Sequence, residues 1–558
     1  MTLRKTYLVL LSGLAMPVLS EELPSTVEPG QIQRQLQSDP IAPKSKPSSP
    51  MISIPEPAEI TAAGPSFVLK GLRFEGSTIF SDAELFDLAD LEIGATVDLK
   101  ALTAAANKIT RAYRSQGYVI SQAIVPAQNA DNGQIILSVI EGFSDQVTFT
   151  GQVPSSDDRL SNLASVVSEL RPLDVAKMER QMLLMNDLPG ISASATLAPS
   201  PSGQKGAAQM IVNIARDRGT ATVELNNRST EQLGPHRLSI DASSYLADKR
   251  HSELTAFVLL EPQDNELQFF SFGANTSVGN YDGRLNFSVN DSQSEPDLGS
   301  SLLKTESHSN TLNISYSQPV TRTRLRNTYI DVGLNHFKSD SDSLEREQEE
   351  RRSTLSFAVN HDQVGSNYTV NQLTARATFG FAASTDIDLL GASSGAALPP
   401  EADENFSRLN IGLSQLRRIS DKVSFLAAID GQLSDDFLPA GERYGIGGGG
   451  FVRAYDASEQ TGESGYAAKF ELRYAGRGER VIYTPFVYYD FGEVTRHRLT
   501  ATDIARKSDL QAAGIGLRFT RGALAGYAEL AFPLADDVGS EGDDDARAFF
   551  GLSYNMRY

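Results

Sequence analysis

The spacing of apolar residues changes character twice along this chain. Beginning at Phe67, "FVLKGLRFEG" reads as a strand, after which helical spacing takes over. Ser81 and Glu84 form an S-x-x-E capping box that opens a short helix. Asp98 can cap a second helix, in which Leu99, Leu102, Ala106, Ile109 and Tyr113 recur at intervals of three and four up to Gly117. "YVISQAIVP" and "QIILSVIEG" then predict two strands around an Asn132-Gly133 hairpin turn. The order β-α-α-β-β restarts at once with "QVTFTG", a helix from Asp158 to Leu170, and a helix capped by Asp174 that carries Val175, Met178, Met182 and Met185 on one face. The turn "NDLPG" and the strands "ISASATLAP" and "AAQMIVNIAR" complete it. Gly76 and Gly151 end equivalent first strands, so a small α/β unit is duplicated in tandem at a period too long for a solenoid. The apolar helical stripes are explained by core packing and need no binding groove.

After Asp217 the helical spacing stops and about sixteen segments with strand character follow, the first near Gly219 and the last near Ala546. In "AFFGLSYNMRY", Phe550, Leu552, Tyr554, Met556 and Tyr558 take one face, and Gly551, Ser553, Asn555 and Arg557 take the other. In "KFELRY", Phe470, Leu472 and Tyr474 oppose Lys469, Glu471 and Arg473. One face suits lipid and the other water. Long connections such as "SQSEPDLGSSLLKTESH", "KSDSDSLEREQEERR" and "STDIDLLGASSGAALPPEADE" largely alternate with short ones such as "QPVTRTR", "RRISD" and "TRGA". That alternation predicts a closed transmembrane antiparallel β-barrel with polar loops on one side and tight turns on the other.

Ahead of these units, "MTLRKTYLVLLSGLAMPVLS" has Arg4 and Lys5 before a short apolar run and ends in small residues at Ser20, the pattern of a secretory signal. Residues 24–37 predict a short polar helix, and 38–65 form a Pro/Ser-rich linker. The organisation expected is signal 1–20, helix 21–37, linker 38–65, α/β domains 66–142 and 143–216, and barrel 217–558. The 558 residues contain no cysteine, so stability must come from packing and strand pairing. A net charge of −20 argues against nucleic acid as a partner. After the signal there is no apolar run of about 18 residues, which excludes a helical membrane protein but leaves a barrel open.

"YGIGGGGFVRAYDASEQTGESGYAAKFELRY" contains a literal G-x-G-x-x-G at Gly445, Gly447 and Gly450. A dinucleotide site would need a helix directly after the glycines inside a βαβ unit, and here glycine-interrupted chain and strands surround them. "GASSG" spells G-x-S-x-G, but Ser393 falls in an Ala/Ser/Pro loop and not on a strand-to-helix elbow. His236, His251, His308, His336, His361 and His497 show no metal-ligand spacing, and surface or lumenal positions are expected for them. The carboxylate runs "EREQEE" and "GDDDA" read as solvated loops. No active site, cofactor or metal is expected. Arg453 in "FVRAY" and Asp490 in "PFVYYDFG" can form a bidentate pair if the glycine-rich loop folds inward, which would require Phe486 and Tyr488 to face the lumen as well.

At these residues the chain resembles the outer-membrane transporters of two-partner secretion (TpsB type), the haemolysin secretion/activation family. The family's V-R-G-Y signature is matched by Val452, Arg453, Ala454 and Tyr455, with alanine in place of glycine. Its lumenal aspartate motif is similar to the stretch holding Asp490 and Gly492, and Tyr558 resembles the terminal aromatic used as a signal for outer-membrane assembly. The resemblance implies that 24–37 is a plug helix and that the α/β units are POTRA (polypeptide-transport-associated) domains in the periplasm of a Gram-negative bacterium. It further implies that a large secreted exoprotein (TpsA type: adhesin, haemolysin or toxin) crosses the barrel lumen unfolded without nucleotide hydrolysis. Outer-membrane lipids and the barrel assembly machinery would be its other partners. An insertase that folds other barrels is the alternative, and a passive porin would have no use for two periplasmic binding domains.

Overall fold

A computed structural model describes residues 24–37, 65–153, 158–246, 248–263, 266–279, 282–299, 304–344, 346–365, 368–390, 402–497, 506–534 and 545–558. The expected signal at 1–20, nearly all of the linker and Ser393 lie outside the described residues.

The first body after helix α1 (Pro29–Gln37) holds β1 (Phe67–Val68), β2 (Gly71–Glu75), α2 (Asp82–Ala89), β3 (Thr96–Val97), α3 (Leu99–Ser115), β4 (Gln122–Ile124) and β5 (Gln134–Ile140). The capping box forms as spaced: the Ser81 backbone N–H donates to Glu84 Oε2 at 2.8 Å. Asp98 Oδ1 accepts the Ala101 N–H, also at 2.8 Å. Leu85, Ala106, Ile109 and Tyr113 pack on Leu137 and Val139 of the sheet, whose order is β2-β5-β4. The hairpin expected at Asn132-Gly133 is wider than a two-residue turn, because β4 ends at Ile124 and pairs with β5 only over Gln122–Ile124. The Gln128 side chain holds the intervening loop by bonding both the N–H and the C=O of Ile136.

The second body repeats the plan with β6 (Phe143–Gly151), α4 (Asp158–Ser168), α5 (Val175–Asn186), β7 (Ile191–Pro199) and β8 (Ala207–Arg216), in sheet order β6-β8-β7. It abuts the short turns of the barrel. Arg159 pairs with Asp282 at 2.5 Å, Asp187 accepts a fork from Arg322 at 2.7 and 2.8 Å, and Glu179 meets Arg324 at 2.5 Å. These contacts place the second body on the tight-turn side.

The barrel runs β9 (Gly219–Asn226), β10 (Arg237–Tyr245), β11 (Glu253–Leu260), β12 (Leu267–Val278), β13 (Gly283–Ser294), β14 (Thr305–Arg322), β15 (Arg326–Ser343), β16 (Arg346–Val364), β17 (Val370–Leu389), β18 (Phe406–Arg418) and β19 (Val423–Leu433). A small inward hairpin, β20 (Tyr444–Ile446) and β21 (Gln460–Gly462), interrupts it. It resumes with β22 (Ser464–Tyr474), its extension β23 (Gly476–Arg477), β24 (Ile482–Arg496), β25 (Arg506–Arg521), β26 (Leu524–Pro533) and β27 (Arg547–Arg557). Every neighbour pair is antiparallel and β27 closes on β9, giving sixteen strands when β23 is counted with β22. The outward row on each strand is apolar and exposed, as with Leu312, Ile314 and Tyr316 on β14 or Phe550, Leu552 and Tyr554 on β27. This is the surface a hydrocarbon layer covers.

Several connections expected to be long loops are strand instead. "KSDSDSLEREQEERR" is the tip of a hairpin in which β15 runs to Ser343 and β16 starts at Arg346. Alternation persists through the charged run: Ser339 and Ser341 turn inward and are buried, while Lys338 pairs with Asp340 and Glu349 on the outside. Strands β14–β17 are 18, 18, 19 and 20 residues long. About 9–11 residues suffice to cross a bilayer, so these four project well beyond it on the side opposite the second α/β body. His251 also departs from expectation, being fully buried at a tight turn with φ of +50°.

Candidate functional site in the barrel lumen

The chain from Tyr444 to Gly462 folds into the barrel, and the glycines let it do so. Gly447 and Gly448 have φ of +110° and +89°, and a Cβ on Gly447 would lie 2.1 Å from the Asp456 carbonyl oxygen. A side chain is therefore excluded on both conformational and steric grounds. Tyr444, Ile446, Val452, Ala454 and Tyr455 pack against inward residues of β24–β27, among them Phe486, Tyr488, Leu510, Ala512 and Phe549. Phe486 and Tyr488 do face the lumen: they are covered by the loop and form part of its seat.

Arg453 sits at the centre of this seat. Its Nε and Nη2 donate to the two oxygens of Asp490 at 2.8 and 2.9 Å, and its own backbone N–H reaches Asp490 Oδ2 at 3.3 Å. Nη1 donates to Glu471 Oε2 at 2.7 Å, and the guanidinium lies 3.6 Å over the Tyr488 ring. Asp490 is 0% and Glu471 1% exposed, so both carboxylates depend on these cations for compensation. Arg473 and Arg518 complete the shell around Glu471, and Lys469 donates to the Gly450 carbonyl at 2.9 Å. Such an arrangement holds a loop in one position.

The structure thus brings Arg453 and Asp490 together, with Gly492 beneath the loop: a Cβ there would meet Ile446 Cγ2 at 3.1 Å. Tyr455 donates its hydroxyl to the Gln511 carbonyl at 3.1 Å. Ala454 needs no glycine-only conformation, since the left-handed residue of the motif is Val452, φ +57° and fully buried. Tyr558 lies apart from this cluster, at the junction of the second α/β body and the barrel, where its C=O accepts from the backbone N–H groups of Arg218 and Gly219 at 2.7 and 3.1 Å. Glu471 was not singled out from sequence, although the alternation of "KFELRY" had already turned it away from lipid.

Helix α1 lies inside the barrel against this loop. Val27 and Ile32 pack on Leu233, Leu259 and Phe269 of the wall. Gln31 Nε2 donates to the carbonyls of Ala440 and Arg443 at 2.7 and 3.1 Å, and its Oε1 accepts from Ser458 Oγ at 2.9 Å. Arg34 donates to Glu442 and Gln432. Behind these, Glu442 is clasped by Arg352 and Arg408 at 2.9 and 2.8 Å.

A match to the family "Haemolysin secretion/activation protein ShlB/FhaC/HecB" spans residues 210–519, more than half of the chain. The chain belongs to the haemolysin secretion/activation family. A "POTRA domain, ShlB-type" match covers residues 67–142. This family member is an outer-membrane transporter of two-partner secretion that exports a secreted partner protein, with its POTRA domains in the periplasm. Among its relatives, the heme/hemopexin transporter protein HuxB of Haemophilus influenzae (strain 86-028NP) is 24% identical over 96% of this chain and 97% of its own length. The outer membrane transporter CdiB of Dickeya dadantii is 23% identical over 76% of this chain and 75% of its own. The solved structure of CdiB from Escherichia coli superposes with a TM-score of 0.70 at 18% identity, covering 91% of this chain and 94% of that one. BamA from Haemophilus ducreyi lacking POTRA domains 1–3 shares the fold more loosely, with a TM-score of 0.52 at 14% identity over 88% of this chain and all of that one.

Proposed function

We propose that export runs through the barrel lumen, that helix α1 is the plug that must leave before a chain can pass, and that the Arg453–Asp490 pair keeps the inward loop fixed while it does. The observation that carries this reading is the shared seat: α1 bonds to Ser458 and to the 440–443 segment at the base of the loop that Arg453 anchors. Leaving the lumen costs α1 these hydrogen bonds and the burial of Val27 and Ile32, whereas the loop retains its own seat on β24–β27.

In this account a large exoprotein, an adhesin, haemolysin or toxin, reaches the POTRA bodies unfolded, and an extended segment adds to a free sheet edge there. The chain then passes outward, drawn by its own folding beyond the membrane and without nucleotide hydrolysis. Val452, Ala454 and Tyr455 seat the loop, Gly492 leaves room for it, and Tyr558 serves as the signal read by the barrel assembly machinery. Expressing the chain with the large exoprotein encoded beside it, and measuring exoprotein in the medium, tests the reading. Secretion should require this chain and fall with Arg453→Ala. Secretion independent of this chain, together with poor assembly of other barrels when it is deleted, would favour the insertase function instead.

A further inference from the structure

Two stretches of the lumen wall differ in chemistry. On β22 and β24–β26 the inward groups include Lys469, Glu471, Arg473, Asp490, Arg518 and Glu529, and the loop covers much of that side. On the other side, every inward position of β14 from Thr305 to Ser317 is Ser, Thr or Asn, and so is every inward position of β13 from Asn286 to Ser294. On β15 the same chemistry is unbroken only at the outer end, at Ser339 and Ser341, since Phe337 and Asp331 share that row. We infer that these uncharged inward rows of β13 and β14 are the track on which an extended segment of the exported protein slides. The inference rests on the lumenal route proposed above and specifies where along the lumen the chain runs.

Three observations support it. Inward positions on a strand recur every two residues, about 6.8 Å, which is also the repeat of an extended peptide. A chain lying along β14 therefore meets a hydroxyl or amide once per backbone repeat, whatever its sequence. Second, one of these groups is buried yet unsatisfied within the protein: Ser309 Oγ has no hydrogen-bond partner among the described residues, and the residue is 2% exposed. Third, the occupant now in place presents the chemistry of a peptide: the Gln33 side-chain amide of α1 donates to Thr311 Oγ1.

Hydroxyls and amides suit sliding because each can donate or accept, so neither end of a peptide group is refused. A wall of charges would make hydrogen bonds roughly twice as strong and hold the passing chain at each step. The paired charges of the opposite wall are already committed to the loop and to one another.

Because the natural chain has no cysteine, single replacements give clean disulfide reporters. Ser309→Cys or Ser315→Cys on β14, or Ser553→Cys on the inward face of β27, would be paired with fragments of the neighbouring exoprotein. Each fragment carries one cysteine and is arrested in export by a fused, tightly folding domain. Mixed disulfides are expected with the β14 variants, strongest at every second residue of the fragment, and rarely with β27. Equal or greater linkage to β27 would overturn the track while leaving the lumenal route intact. Absence of linkage from either wall during continued export would overturn both. As a second measurement, Ser307→Ala with Ser309→Ala and Thr311→Ala should slow secretion about fivefold, from the loss of modest hydrogen bonds, in a barrel that still shows normal heat-modifiable migration. An unchanged rate in such a barrel would also overturn the track.

Discussion

Gly30 of α1 and Gly441 of the segment after β19 meet face to face: a Cβ on Gly30 would lie 2.6 Å from Gly441 Cα, and one on Gly441 would lie 2.8 Å from Gly30 Cα. Neither atom is at the end of a flexible side chain, so the clash can be relieved only by moving a backbone. Gly441→Val is therefore expected to lift α1 from its seat, while the Arg352 guanidinium of β16, 2.7 Å from the new Cβ, can swing aside as the end of a flexible side chain. Single-channel recordings in planar bilayers should show higher conductance than the parent chain, and cells should admit larger antibiotics. A parent-like conductance in Gly441→Val would show that this contact does not hold the helix.

The Arg453 cluster predicts an asymmetry between substitutions. Arg453→Ala leaves Asp490 and Glu471 buried beside each other without their shared cation, a situation that typically costs about 3–5 kcal/mol. Arg453→Lys keeps the charge but loses the fork that engages both oxygens of Asp490. Limited proteolysis should cut the 444–462 loop quickly in the alanine variant, at an intermediate rate in the lysine variant and slowly in the parent. Secretion should follow the same order.

Ala454→Gly should be nearly silent. Ala454 does not occupy the left-handed region, so glycine offers it no relief; it adds unfolded-state freedom, about 0.5–1 kcal/mol, and removes one buried methyl, a small loss beside that of a larger side chain. Secretion by this variant is expected to match the parent. The strained position is Val452, where a β-branched residue holds φ of +57° because its side chain is fully buried in the loop seat. Val452→Ala should keep the strain and lose the packing, and so should raise protease sensitivity more than Ala454→Gly does.

The contact between the second POTRA body and the barrel rests on ion pairs, of which Arg159–Asp282 is largely buried and Asp187–Arg322 partly exposed. Asp187 is a third exposed, so its fork with Arg322 should contribute only about 1 kcal/mol and weaken as salt screens it. Asp187→Ala is expected to speed hydrogen exchange at the start of β7 and at the 323–325 turn, with a difference that shrinks in high salt. Exchange unaffected by Asp187→Ala would place the anchoring elsewhere.

Local chemistry was legible in the sequence wherever partners are close along the chain. The Ser81–Glu84 box, the Asp98 and Asp174 caps and the in-out rows of the barrel follow from spacing alone. The Arg453–Asp490 pair was accessible through alternation together with the loop motif. The seat of α1 was not, because Gln31 meets partners more than 400 residues away and nothing local encodes that meeting. The height of the β14–β17 hairpins was misread because a dense run of charge looks like a loop. Strand pairing tolerates such a run when oppositely charged side chains meet diagonally across the two strands, as Lys338 and Glu349 do at 3.1 Å.

The central claim is that α1 must leave the lumen for export, and locking it in place tests this most directly. Ser25 Oγ donates to the Ser458 carbonyl at 2.8 Å, so Ser25→Cys and Ser458→Cys can be joined by a short reducible cross-linker in a chain with no other cysteine. Exoprotein in the medium should fall to background in the bridged transporter and return when the bridge is cleaved. Undiminished secretion through a fully bridged population would contradict the account.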